Sequence, residues 1–417
     1  MAAKRAAANG VSADRVRAFW AERQGIGRAM KGLTPEVVLA RTGWSRSVGG
    51  CNPYLALRDR AQVSRAATDA AVSEVAICEI PAVRGCTYVV PKSDFAVALA
   101  ASQGKGEDPE IATAKKYLGV TDSELDRLSK KVLEAVAKEA LDPAALKEAL
   151  GGAVRSLGDE GKKRGVATTL PLVLGLLQSR GQLRRVAIEG RLDRQRYRYV
   201  RWEPNPIGTS RFAPEELARE LGHRFFRWAG PATVAQFAWW SGLGVKAARA
   251  AAQEIGVVPL GAAEGIEKAE ERLLFPEDRD ALLALEVPRA PAIAFVSALD
   301  NLVHLRREVL PHLHADDAAV RAPGAAQKDP KASVGALVDL EYHPIVDRGR
   351  IVGLWDWDGE KGELVWRTFG SAPKGAREEA AALSAYVAAE LEDVRSFSLD
   401  SPASRGKRLD ALRKAKW

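Results

Sequence analysis

Apolar and polar positions follow one order that recurs three times along the chain. A stretch with helical spacing is followed by a break, a second helical stretch and two short runs of period two. The third occurrence is the clearest. In "PATVAQFAWWSGLGVKAARAAAQEIGVVPL", Val234, Phe237, Ala238 and Leu243 fit the buried side of a helix and its turn, with Gly242 and Gly244 at the break. On the next helix Val245, Ala248 and Ile255 are expected to face inward. Lys246, Arg249 and Gln253 share another face, which either reads a groove or meets water.

In the second occurrence, "TTLPLVLGLLQSRG", Leu170, Val173, Leu174 and Leu177 keep helical spacing. Thr168 or Thr169 can cap the start, and Gly181 fits just past the end. Residues 183–189 and 195–202 then alternate as strands, with Arg196 and Arg198 on one side and Tyr197, Tyr199 and Arg201 on the other. In the first occurrence "TPEVVLARTG" and "SRAATDAAVSEV" are helical, and "ICEIPAVRGCTYVVP" supplies a hairpin with Arg84 and Gly85 in its turn. Helix, break, helix and hairpin is the plan of a winged helix-turn-helix. The expected class is therefore α+β, with three tandem winged units over residues 14–100, 123–204 and 212–284. Residues 101–122, polar and glycine-containing, read as a connector.

Past residue 285 the pattern changes. "PAIAFVSALDNLV" is apolar, residues 311–333 are loop-like, and "RIVGLWDWDGEKGELVWRTFG" alternates around a turn at Asp358–Gly362. Residues 285–372 are expected to form a β-rich, barrel-like domain. Residues 376–417 follow as a helix, "AREEAAALSAYVAAELEDV", and a basic tail.

Composition narrows the classes. The 417 residues leave room for several domains, and no apolar run is long enough to span a bilayer, so no membrane partner is expected. The first ten residues carry no secretory pattern, which points to the cytoplasm. Cys51, Cys78 and Cys86 form no C-x-x-C pair and read as reduced thiols. Lys plus Arg number 62 against 54 Asp plus Glu, and this excess favours a polyanionic partner. Neither a Walker loop, nor a strand-linked G-x-G-x-x-G, nor a G-x-S-x-G elbow is present, which removes ATPase, dehydrogenase and α/β-hydrolase readings. His312 and His314, with Asp316 and Asp317, lack a third and fourth ligand group, so neither metal nor organic cofactor is expected. His343 and Asp347 read as part of a structural turn, and Trp239 and Trp240 as packing residues.

The local density of charge is more telling than the total. Eight arginines stand between residues 180 and 202, against Glu189 and Asp193. Guanidinium offers planar, permanently charged donors to phosphate, and tyrosine offers a face for a base. The expected contacts to double-stranded DNA are Arg184, Arg185, Arg191, Arg194, Arg196, Arg198 and Tyr197 on this hairpin, with Lys246 and Arg249 on the later helix.

"LARTGW", "SRGQLRRV", "TVAQFAWWSGL", "LDNLV" and "DRGRIVGLWDWD" resemble the winged-helix DNA-binding family that includes the AlkZ and YcaQ DNA glycosylases, over residues 14–370. The resemblance implies three tandem winged helices around a concave DNA-binding surface, completed by a C-terminal barrel-like element. It further implies excision of alkylated or crosslinked bases by an early Gln-x-Gln or Gln-x-Asp motif that positions water at an oxocarbenium-like sugar. Here the corresponding stretch is "GWSRSVGGCNPYLALRDR". Trp44, Ser45 and Arg46, or their neighbours, stand at the motif, Ser45 and Asn52 are the polar groups nearby able to bind a water, and Gln24 is assigned no role. No catalytic residue is assigned. A non-enzymatic DNA-binding protein such as a transcriptional regulator, or a scaffold for acidic proteins, stays open as an alternative.

Overall fold

A computed structural model describes residues 11–104, 108–266, 269–323 and 332–417. The N-terminal decapeptide, part of the 101–122 connector and part of the loop-like 311–333 stretch lie outside the described residues.

Helix α1 (Ala13–Arg23) starts at Ser12, whose hydroxyl accepts from the Arg15 amide. It buries Val16, Phe19 and Trp20 in an apolar cluster with Val346, Ile351 and Leu354 of the C-terminal sheet. Burial of each such side chain contributes about 1.5–3 kcal/mol, so the two ends of the chain are tied together.

One order of elements then recurs, complete in the first and third units. The first unit runs α2 (Pro35–Thr42), β1 (Ser45–Arg46), α3 (Asn52–Ala61), α4 (Arg65–Ser73), β2 (Ile77–Pro81) and β3 (Thr87–Pro91), with sheet order β1-β3-β2. Helix α5 (Phe95–Ser102) follows. The second unit departs from this order: it has α6 (Asp122–Val136), α7 (Pro143–Leu150), a further short helix at Gly158–Lys163, α8 (Leu170–Ser179) and a two-stranded sheet of β4 (Leu183–Ala187) and β5 (Tyr197–Arg201), and Leu141 bridges to Tyr199 where the other units have a first strand. The third has α9 (Pro214–Ala229), β6 (Ala232–Thr233), α10 (Val234–Ser241), α11 (Val245–Glu254), β7 (Val258–Pro259) and β8 (Arg272–Leu274), in sheet order β6-β8-β7. Helix α3 is not apparent from hydrophobic periodicity because all ten of its residues are buried, charged Arg58, Asp59 and Arg60 included. With no polar face left in water, the apolar stripe that marks a helix is missing.

The C-terminal part is a four-stranded antiparallel sheet, β9 (Ile293–Phe295), β10 (His343–Asp347), β11 (Arg350–Asp358) and β12 (Glu363–Thr368), in chain order. The short helix α12 (Asn301–His304) lies between β9 and β10. Helix α13 (Ala376–Tyr386) packs on the sheet, and the basic "tail" is helix α14 (Pro402–Lys414), which docks Leu409 and Leu412 there. Its arginines are neutralised on docking: Arg405 pairs with Asp393, Arg408 with Asp356, and Arg413 with Asp358 and Glu363.

The second unit has its own apolar cluster. The others run across unit boundaries: Trp44 and Tyr88 share one with Phe225 and Trp240, and Tyr54 and Leu57 share another with Trp355 and Leu383. The first and third units are thereby fastened to each other and to the sheet.

Candidate nucleic-acid interface and cavity

The loop between α2 and α3 carries Trp44, Ser45 and Arg46, and three separate elements hold its backbone. Asn301, at the start of α12, donates its amide to the carbonyls of Thr42 and Trp44, 3.1 Å each. Gln24 donates to Thr42 O and Trp228 O, and accepts from Arg60. Arg60 is paired through both terminal nitrogens with Asp300, at 2.7 and 2.8 Å, with both side chains almost wholly buried. The Leu-Asp-Asn run at 299–301 therefore serves to anchor this loop. Gly43 is required there, since its φ is +100° and a Cβ would meet Asn301 Nδ2 at 2.9 Å.

Side chains of the loop take different paths. Trp44 is buried, bonds Asp94 and lies 5.6 and 5.7 Å from the rings of Trp228 and Trp240. Ser45 Oγ and the Arg46 carbonyl both accept from Asn52, so these polar groups fasten the loop to α3. Arg46 alone of the three turns into a cavity of about 640 Å³, with its guanidinium 5.2 Å from the Tyr88 ring centroid.

The cavity is assembled from five places in the chain. The loop contributes Arg46 and Val48, the β2–β3 hairpin Arg84 and Tyr88, and α10 Trp239. His304, Arg307, Asp339 and Glu341 come from the connection between β9 and β10, and Phe397, Lys407 and Arg408 from the C-terminus. The loop between α2 and α3 also meets the C-terminal segment backbone to backbone: the Cys51 amide donates to Arg395 O at 2.8 Å, and Gly50 passes against Ser396 O. Asp339 is held by Arg307 through three contacts of 2.6–3.0 Å. Glu341 has no ion pair among the described residues; partial burial raises its carboxyl, opposed by Arg408. Burial, with Arg46 adding to it, lowers the His304 imidazole to about 4, so at neutral pH it is uncharged. A larger hollow of about 850 Å³ between α5 and α10 is lined by Arg180 and Arg211 but by no carboxylate or histidine, and so offers no acid–base group.

Strand register sorts the basic hairpin into two faces. Arg184 lies opposite Val200, Arg185 opposite Tyr199, and Val186 opposite Arg198. Directly paired residues share a face, so Arg184, Arg196 and Arg198 project from the outer one. Arg196 contacts Glu189 at 3.3 Å with both side chains mostly exposed, a weak surface pair. Tyr197 and Arg185 lie on the inner face instead, where Arg185 sits 5.1 Å over the Tyr197 ring and 3.8 Å from Glu79. Arg191 is buried, bound through two nitrogens to Asp193 and to Leu391 O. Arg194 pairs with Glu392 at 2.8 Å. The expected set is thus divided: three guanidiniums face outward together, Arg194 meets Glu392 in a surface pair, and Arg185, Arg191 and Tyr197 are engaged within the fold.

Lys246 and Arg249 are exposed on α11, as is Gln253. Val245 is also 54% exposed rather than inward-facing, because it stands in the first turn, before α11 meets its neighbours. Both basic elements adjoin the cavity. Gln195, in the β4–β5 turn, donates to Val48 O, and Gly242, before α11, lies against Arg84. Of the two tryptophans, Trp240 is packed at 1% exposure while Trp239 lines the cavity. His343 and Asp347 stand at opposite ends of strand β10 rather than in a turn: His343 accepts from the Ala298 amide, and Asp347 pairs with Arg348. His312 is buried against Gly349 O. No helix among the described residues is long and apolar enough to cross a membrane.

Arg46 and Asn301 as cavity wall and anchor have a trace in the sequence, since both lie in quoted motifs. Val48, Arg84, Tyr88 and Trp239 also lie in quoted stretches, whereas Arg307, Asp339, Glu341, Lys407 and Arg408 do not.

A family model described as DNA glycosylase AlkZ-like matches residues 49–397. Among solved structures the fold is similar to that of the Streptomyces sahachiroi DNA glycosylase AlkZ, with a TM-score of 0.66 at 19% identity, covering 91% of this chain and 97% of that one. A search of curated proteins returned no match.

Proposed function

The chain belongs to the DNA glycosylase AlkZ-like family, and from that premise we propose that it removes damaged bases from double-stranded DNA. The observation that carries this reading is the motif loop: the segment standing where the resemblance implies a catalytic motif opens onto a 640 Å³ cavity that contains a carboxylate, Glu341, with no ion pair among the described residues.

Each of the three repeated units is read as a winged helix-turn-helix. Support comes from helices placed ahead of a hairpin in each and, in the first and third units, from the sheet order in which the last strand lies between the first and second. The outer hairpin face, with Arg184, Arg196 and Arg198, grips backbone phosphates, and Lys246 and Arg249 on α11 extend that contact. The damaged nucleotide enters the cavity.

Glycosidic cleavage needs a group that positions water against the developing positive charge at the sugar. Neither Ser45 nor Asn52 lines the cavity, and Asp339 is held by Arg307. Glu341 is the lining carboxylate left for that task. Incubation with alkylated duplex, assayed for free base or abasic sites, tests the reading. Product is expected, and Glu341→Gln should lower its rate by about 10²-fold or more while duplex affinity holds. Product no greater than in a protein-free control, with duplex binding intact, would leave a binding module.

That second reading, a DNA-binding protein without excision activity, is favoured by one observation: the loop presents a guanidinium, Arg46, instead of a carboxamide or carboxylate. It predicts a preference for particular base sequences over lesions.

A further inference from the structure

Two arginines that line the cavity share an unusual backbone. Arg84 has φ +60° and Arg307 has φ +51°, and both are among the described residues held in the left-handed region. An L residue with a Cβ is disfavoured there by roughly 1–2 kcal/mol. At Arg84 the setting is a tight turn in which the Cys86 amide donates to Val83 O and Gly85 is also left-handed. Such turns favour Asn, Asp or Gly at the position Arg84 occupies.

These two side chains converge on one ring. The Arg84 guanidinium lies 4.4 Å, and that of Arg307 5.2 Å, from the Trp239 ring centroid. Arg46 lies in the same way over Tyr88. Guanidinium therefore covers the aromatic faces on which a base would otherwise stack. A guanidinium stacked on a ring keeps its N–H groups directed outward in its own plane, the geometry that meets oxyanions edge-on. Lys407 adds charge; with Arg307 paired to Asp339 and Arg408 to Asp356, the lining leaves Arg46, Arg84 and Lys407 against Glu341. One nitrogen of Arg46, Nη1, is buried without a hydrogen-bond partner among the described residues.

We propose that the cavity is an oxyanion site that takes a phosphate group of the nucleic-acid strand, held by Arg84 and Arg46, while Arg307, bound to Asp339, fixes the Trp239 ring against which Arg84 lies. It rests on the reading that the cavity receives the damaged nucleotide, and it names the part that is gripped: the phosphate beside the lesion, with the base directed toward Glu341. Strain at two turns persists because these side chains are needed where they stand. The phosphate is supplied either by an internal diester or by a terminal monoester.

The test titrates the full chain with thymidine, thymidine 5′-monophosphate and the diester dinucleotide TpT, by calorimetry. Both phosphate-bearing probes should bind at least about tenfold more tightly than thymidine. The tighter of the two identifies the source. Arg84→Gly removes the guanidinium and suits a left-handed turn, so it should reduce phosphate affinity about tenfold with unchanged Tm. Lys407→Ala, at an exposed position on α14, should weaken binding in the same direction, whereas Arg196→Ala on the hairpin should not. Equal affinity for thymidine and its phosphates, or phosphate affinity untouched by both Arg84→Gly and Lys407→Ala, would overturn the proposal. Base release is followed alongside. Phosphate binding that depends on Arg84 without any base release would sustain the oxyanion site and sink the glycosylase reading. Base release at full rate in Arg84→Gly, with its phosphate affinity also unchanged, would do the reverse.

Discussion

Arg191 and Arg198 stand seven positions apart in one arginine-rich hairpin and do opposite work. Arg191 is bound to Asp193, with each side chain 8% exposed. Arg198 lies open on the outer face beside Arg184 and Arg196. Replacing one partner of a buried pair strands the other charge, so Arg191→Ala should destabilise the fold by about 3–5 kcal/mol. Thermal denaturation would register this as a clear fall in Tm. The triple replacement of Arg184, Arg196 and Arg198 by alanine should leave Tm nearly unchanged and weaken duplex binding. It should also lower the slope of log affinity against log salt by about 2–3 for three lost phosphate contacts. Unchanged affinity and slope in that variant would remove the hairpin face from the interface. Residue type and density made the hairpin conspicuous. Which arginines are free depends on Asp193, Leu391 and Glu79, and two of these lie far away in sequence.

At the scale of elements, the loop between α2 and α3 is held mainly by residues remote from it. Asn301 serves two of its carbonyls and Gly50 lets residues 395–396 pass against it. Asn301→Ala would leave the Thr42 carbonyl with Gln24 and the Trp44 carbonyl without that donor. The expected cost is about 1–3 kcal/mol, measured by denaturant titration. Base release should fall with it, because Arg46 is positioned by this loop; release unaffected at a temperature where the variant is folded would detach the loop from function. The hairpins, the α10–α11 pair and the β11–β12 turn were legible from period and turn residues. Helix α3 was not, since burial of Arg58, Asp59 and Arg60 hides its pattern. The docking of α14 was equally hidden, because its basic residues meet carboxylates brought in by other strands.

For the whole molecule, three buried histidines set an acid limit. Burial is the main cause in each: it lowers His304 to about 4 and His343 to about 3, and holds His312 well below its ordinary value. In the unfolded chain all three titrate near 6.5. Between about pH 6.5 and 4 the unfolded state therefore binds protons that the folded state does not, and stability falls as pH falls. Asp59 acts the other way, since burial raises its carboxyl to about 7 and the folded state keeps that proton. Three groups against one leave a net loss on the order of 1–3 kcal/mol per pH unit across that window. Melting followed at pH 7, 6 and 5 should show a declining Tm; a flat or rising profile would contradict it.

By itself the sequence determined the local grammar of this protein: helical and alternating periods, the glycine breaks, the hairpin crowded with guanidinium, and the motifs that resemble the AlkZ-like family. Those signals are local, set by spacings within a few residues, and they survive without any knowledge of the rest of the chain. Only the tertiary structure decided which arginines are spent on buried carboxylates, that Trp239 lies under two strained arginines, and that a cavity with Glu341 opens beside the motif loop. The physical reason is that charge neutralisation and cavity walls depend on which distant side chains come within a few ångströms, and spacing along a chain does not encode that directly.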